Sequence, residues 1–199
     1  MKTYFSNFSK VLFVLLLIIS CQERSMDVTQ SNENSNHDSE TLKLDDPINE
    51  IKTNFTRINS IQNWSKVLTK ELMETSEGGE VKYYFNGENL EKIIEKKYGE
   101  MFQQTIEYYL KDENLSFVFE KSLLYNRPIY YDEEMMKENQ DSEYFSIDAS
   151  KPVETRMYFS ENQLLKSINS MDPGDTIDKK ELENLTVNNY QKLLQLLKN

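Results

Sequence analysis

Residues 83–90 read YYFNGENL, and the same pattern returns at Tyr108 to Leu115 as YYLKDENL, 25 residues on. It returns again at Met157 to Leu164 as MYFSENQL, after a further 49 residues. Each copy is an aromatic strand, a short polar turn and a second apolar strand, which is the composition of a β-hairpin. Hairpins in series restrict the chain to an antiparallel meander, because strands joined by tight turns pair with their sequence neighbours. Period-two alternation in the middle copy sends Ile106, Tyr108, Leu110, Leu115, Phe117 and Phe119 to one face, the expected core. The opposite face then carries Lys82, Tyr84, Glu107, Tyr109, Arg156 and Tyr158. Lys92 and Lys166, at equivalent repeat positions, break the pattern by pointing inward. Either a bulge shifts the register there, or their stems lie along the apolar layer with the ammonium groups at its edge; the second is the simpler expectation.

The flanking segments supply helices. Asp46-Pro47 has the chemistry of a helix start, and Ile48, Ile51, Phe55 and Ile58 follow as one apolar stripe ending near Ser60. This helix is expected on the core face of the sheet. Trp64 to Glu74 fits a helix or a strand, and the Ser76-Glu77-Gly78-Gly79 turn that follows favours a strand in a further hairpin. Asp172-Pro173-Gly174-Asp175 signals a turn, and Asp178 with Glu181 makes a capping box. A C-terminal helix carrying Leu182, Leu185, Leu193, Leu194 and Leu197 follows, with Thr186 to Asn189 as a stretch of poor helix formers that threatens to break it. The expected fold class is α+β: an antiparallel meander of repeated hairpins packed with an N-terminal and a C-terminal helix, one domain over residues 46–199.

The front of the chain is of another kind. Lys2 and Lys10 precede the apolar run Val11 to Ile19, which is far short of the ~20 residues of a membrane-spanning helix and reads as an export signal over residues 1–20. Ile18-Ile19-Ser20-Cys21 resembles the lipobox of Gram-negative lipoproteins. That resemblance implies cleavage before Cys21 and a covalent lipid on it, and Gln22, in place of the aspartate that retains enterobacterial lipoproteins in the inner membrane, implies the outer membrane. Residues 21–45 are then the lipidated cysteine and a polar tether rich in Ser, Asn, Asp and Glu that cannot bury enough apolar surface to order itself. From Ser76-Glu77-Gly78-Gly79-Glu80 through Tyr125-Asn126-Arg127-Pro128-Ile129-Tyr130-Tyr131-Asp132 to Tyr158-Phe159, the domain resembles a group of uncharacterised exported lipoproteins of the Bacteroidetes type, a resemblance that implies no activity and no site. The YYFNGENL hairpin is also similar to MORN-variant repeats, but the second and third copies lack its Asn-Gly turn, so the likeness is one of hairpin chemistry.

Charge and residue usage exclude several functions. The chain has a formal charge of −11; without residues 1–20, which hold two lysines and no acid, 21 basic and 34 acidic residues leave −13. That sign argues against nucleic acid and against adhesion to anionic lipid headgroups. Cys21 is the lone cysteine and His37, in the tether, the lone histidine, so the domain is expected to hold no disulfide, no Ser-His-Asp triad and no metal bound through cysteine or histidine. No cofactor is expected beyond the lipid on Cys21. The acidic connection from Asp132 to Asp148 reads as a solvated loop rather than a calcium loop, because the spacing and central glycine of an EF-hand are missing. Arg127, Tyr130 and Tyr131 form a contact patch or complete the core. Tyr84, Tyr109 and Tyr158 recur at matching positions and make an aromatic platform if open, or core if the Leu-rich C-terminal helix covers them. The expected function is an envelope-anchored lipoprotein, held to the membrane by its lipid, whose non-enzymatic domain binds an unknown envelope protein or ligand. The alternatives are an immunity-type inhibitor with an acidic face and a carboxylate-dependent hydrolase of envelope glycan.

Overall fold

Two-residue turns tie the repeats together. The computed structural model describes residues 38–73, 75–170 and 177–199. The leader, Cys21, residues 22–37 of the expected tether and the turn at 172–175 lie outside them. The elements run α1 (Asp38–Asn59), β1 (Lys66–Leu72), β2 (Gly79–Asn86), β3 (Asn89–Gly99), β4 (Phe102–Lys111), β5 (Asn114–Leu124), α2 (Glu133–Glu138), β6 (Lys151–Ser160), β7 (Gln163–Asn169) and α3 (Lys179–Lys198). They fall within one compact unit, His37–Asn199. The seven strands form one antiparallel sheet in sequence order, β1 to β7, with α1 and α3 packed against it. The meander and the strand at 66–72 are as expected.

The helices differ in detail. α1 begins at Asp38 rather than Asp46, so Pro47 lies inside it. Residues 38–45 are not loose tether. They form the first turns of α1. α3 is unbroken through Thr186 to Asn189. Thr186 donates its hydroxyl to the Leu182 carbonyl one turn back, and Asn189 spends its amide on the sheet, so neither competes with the helix backbone. Asp178 caps α3 by accepting from the Lys180 and Glu181 amides.

The turns explain how two of the repeat copies manage without glycine. Gly87 takes a positive φ of 63° in the first hairpin. In the others Asp112 and Glu113, then Glu161 and Asn162, adopt left-handed φ values between 49° and 65°. Such turns match the twist of the strands but burden a residue bearing a Cβ. Glu113→Gly is therefore expected to raise stability by about 1 kcal/mol, seen as a higher urea midpoint at unchanged slope. Tyr190 donates to the Glu113 backbone carbonyl, a bond the substitution leaves in place.

Every repeat hairpin also carries a bulge at the same position. Tyr84 pairs with Lys92 but Phe85 with Leu90; Tyr109 pairs with Phe117 but Leu110 with Leu115; Tyr158 pairs with Lys166 but Phe159 with Leu164. Glu91, Ser116 and Leu165 are the extra residues. Because side chains alternate with period two, one added residue reverses the facing of everything after it. Phe117 and Phe119 therefore leave the face of Ile106, Tyr108 and Leu110, and Lys92 and Lys166 join them on the other side. The bulge, not snorkelling, accounts for the lysines. Tyr84, Lys92, Tyr109, Phe117, Tyr158 and Lys166 stand in one row across β2 to β7.

The helices sit on the opposite faces from those expected. Tyr83, Ile93, Tyr108, Leu110, Leu115, Val118, Met157, Phe159 and Leu164 pack beneath Tyr190 and Leu193 of α3. Tyr109 and Phe117 pack instead beneath Ile51 and Ile58 of α1. Each large apolar side chain so buried contributes roughly 1.5–3 kcal/mol. α1 is further pinned by Asn54, which donates to the Leu110 carbonyl at 2.9 Å, and by Arg57, which forks onto both oxygens of the bulge residue Glu91 at 3.1 and 2.6 Å.

Candidate functional site: the cleft under the C-terminal helix

The bulge at Glu91 sets the alternation of β3, so that Ile93, Glu95 and Lys97 face α3 in a line. β4 contributes Gln104, Ile106 and Tyr108 to the same face, and β5 contributes Val118, Glu120 and Ser122. Register completes a grid: Ile93, Tyr108 and Val118 stand abreast, then Glu95, Ile106 and Glu120, then Lys97, Gln104 and Ser122. Tyr190 and Leu193 seal α3 onto the hydrophobic end of this face. Over the polar end the helix and sheet leave a cleft of about 680 Å³, within the range of small-molecule sites. Ile106, Val118, Met157, Leu182 and Leu185 give it apolar walls, and Lys97, Tyr108, Glu120 and Asn189 give it polar groups.

Those polar groups are unequally occupied. Glu95 is 2% exposed. Its Oε1 is 2.9 Å from Lys97 Nζ, while its Oε2 accepts from Tyr108 at 3.1 Å and from Asn189 Nδ2 at 2.7 Å. Asn189 uses the same nitrogen to donate to the Tyr108 hydroxyl at 2.7 Å. Burial, and then the Glu95 charge, hold the Tyr108 phenol well above its ordinary value, so it stays a neutral donor to Glu95. Glu120 is different. Gln104 and Ser122 both donate to its Oε1, at 2.7 and 3.1 Å. Its Oε2 has no hydrogen-bond or ion-pair partner among the described residues, and neither does the Asn189 side-chain oxygen. Glu120 is the one acid among the residues described as lining the cleft.

The tyrosines singled out by the repeats do not form an open platform. Tyr109 is 2% exposed beneath α1, its ring 4.8 Å from Phe55 and 5.8 Å from Phe117. Its hydroxyl donates to Glu107 at 2.6 Å and accepts from Lys92 at 2.9 Å. Burial alone would raise the Glu107 carboxyl, but the bonds from Lys92 and Tyr109 prevail and hold it below its usual range. Tyr84 is half-buried with its ring 5.3 Å from Trp64, and Tyr158 half-buried with its ring 5.1 Å from Phe117. The N-terminal helix covers this face because the bulges gather Tyr109, Phe117 and Tyr158 into one apolar row that it must seal.

Arg127 and Tyr131 serve the connection between β5 and β6. Tyr131 donates to Asp141 Oδ2 at 2.6 Å, Arg127 Nη2 lies 3.3 Å from Asp141 Oδ1, and the guanidinium stands 5.7 Å from the Tyr131 ring centre. They form a clasp across the loop, while Tyr130 is open at 57% exposure. In the acidic stretch Asp132 caps α2 by accepting from the Met135 amide, and Asp141 is taken by the clasp. Among the described residues no group of three or more acidic, histidine or cysteine side chains is placed to hold a metal, and no helix is long and apolar enough to cross a membrane. Cys21 lies outside the described residues.

The fold is thus a seven-stranded meander with α1 packed on one face and α3 on the other. No known protein family, curated protein or solved structure matches the chain.

Proposed function

We propose that the protein is a lipoprotein of the cell envelope, anchored through acylated Cys21, whose domain binds a ligand in the cleft under α3 without transforming it. The observation that carries the binding reading is the state of two carboxylates, Glu120 on the cleft wall and Glu95 buried behind it. Both oxygens of Glu95 are committed to Lys97, Tyr108 and Asn189, and the carboxylate is buried, so it is not presented to a bound molecule. That leaves Glu120 without the second free carboxylate a glycosidase pair requires. A lone carboxylate among apolar walls and amides suits recognition. The anchor reading rests on the lipobox chemistry at Cys21, since acyl chains contribute about 0.8 kcal/mol per buried methylene and two or more hold a protein stably on a bilayer.

Growth with a tagged palmitate tests the anchor. The full-length protein is expected to carry the tag and to fractionate with membranes, and Cys21→Ser to lose both properties. An untagged wild-type protein released freely into the medium would overturn it.

A further inference from the structure

We infer that the cleft under α3 selects a cationic ligand with an alkyl arm: a primary alkylammonium, free or as a lysine side chain. This deepens the binding reading above and rests on it. The first argument is an inventory of donors and acceptors. Around Glu120 the side-chain donors have acceptors: Lys97 is paired with Glu95, Asn189 Nδ2 is shared between Glu95 and Tyr108, the Tyr108 hydroxyl goes to Glu95, and Gln104 and Ser122 donate to Glu120, while Lys97 keeps further N–H groups and the exposed amides of Asn188, Gln191 and Gln195 stand at the rim. What is left unpartnered on the Glu120 and Asn189 side chains themselves is acceptor capacity, at Glu120 Oε2 and the Asn189 side-chain oxygen. An occupant that brings donors completes this set, whereas one that brings a carboxylate or phosphate adds acceptors to acceptors.

The second argument is charge. The Glu95 and Lys97 charges cancel within their pair, so the interior of the cleft carries the single uncompensated charge of Glu120. Lys192 lies on the exposed side of α3 at the rim, where water screens it. The chain's −11 field adds a long-range bias toward cations at the mouth. Gln104 and Ser122 hold the carboxylate at one oxygen, which fixes the direction of the other and lowers the ordering cost of binding.

The third argument is shape. Ile106, Val118, Met157, Leu182 and Leu185 line the remainder of the cleft. An ammonium placed on Glu120 must carry its chain past them, so an aliphatic arm gains burial that a bare metal or ammonium ion does not. An alkyl arm ending in three donors is also the chemistry of a lysine side chain.

The test is a titration of the folded domain followed through ¹H–¹⁵N resonances, including the side-chain amides of Gln104 and Asn189. The probes are n-hexylammonium, its neutral congener n-hexanol and its anionic congener hexanoate, with Nα-acetyl-lysine amide as a fourth. n-Hexylammonium is expected to move the Gln104 and Asn189 amides and to bind about tenfold or more tightly than n-hexanol, since an ion pair replaces a hydrogen bond from a neutral donor. Glu120→Gln, which keeps the shape, is expected to abolish that preference, and the dispersed amide resonances of the variant report that it is folded. Tighter binding of Nα-acetyl-lysine amide than of n-hexylammonium assigns the site to a peptide side chain, and the reverse order assigns it to a free amine; either supports the inference. Equal binding of all three hexyl probes, or a preference for hexanoate, would overturn the cationic class and leave the cleft a binding site. Failure of every probe to move these resonances would overturn both.

Discussion

Tyr109→Ala is expected to cost about 3–5 kcal/mol, a large share of the roughly 5–15 kcal/mol that holds a domain folded. Two losses combine. The ring is enclosed by Phe55, Phe117 and α1, so its removal leaves a cavity that a sheet pinned on both faces closes poorly. The hydroxyl also completes the Lys92–Glu107 pair, and without it two partly buried charges lose a shared partner. Tyr84→Ala, at the equivalent position of the first repeat, is expected to cost roughly half as much, because Tyr84 is only half-buried. Urea unfolding of the two variants measures the difference directly. Equal costs would mean that α1 does not lie where the structure puts it.

Lys97→Met is expected to cost about 3 kcal/mol, and the double variant Glu95→Gln with Lys97→Met to recover most of it. Glu95 is enclosed by Lys97, Tyr108 and Asn189, and Lys97 is the cation in that set. Removing the cation strands a buried charge, which is costlier than replacing both members of the pair with neutral groups of similar size. Glutamine at position 95 keeps an acceptor for Tyr108 and Asn189, so the rest of the network survives. A double-mutant cycle reads the recovery. A cost for Lys97→Met under about 0.5 kcal/mol would place the pair among exposed ion pairs of little consequence and weaken the assignment of Glu120 as the uncompensated charge.

The strand order was legible in the chain because hairpin chemistry is local. Polar turns at fixed offsets from aromatic pairs specify a meander with no long-range information. The facing of the strands was not. In β5, Leu115, Phe117, Val118 and Phe119 are all apolar, so the alternation satisfies either face and nothing in composition marks Ser116 as the inserted residue. Lys92 and Lys166 were the visible sign: lysines at inward positions in two separate copies point to a shared bulge more economically than to two snorkelling side chains. Once the register slipped, the helix faces slipped with it, which is why α1 rather than the C-terminal helix covers Tyr109.

The cleft was illegible for a different reason. Glu95, Lys97, Tyr108, Glu120 and Asn189 come from three strands and a helix, and the helical contribution is 94 residues distant from Glu95. Asn189 read as a helix weakener, although its amide serves the sheet. The usable hint was the alternation of Glu95 and Lys97 with Ile94 and Lys96, which sends an ion pair to the same face of the strand as the apolar Ile93.

The account turns on the claim that the bulges hand Phe117 to the N-terminal helix and leave the other face to the cleft. Proton–proton contacts of the Phe117 ring, observed by NMR on an aromatic-labelled sample, test it most directly. Cross-peaks to Phe55, whose ring centre lies 5.4 Å away, and to Tyr158 are expected. Cross-peaks from Phe117 to Tyr190 and Leu193 in their place would show an unbulged β5, with the two sides of the sheet exchanged and the cleft misassigned.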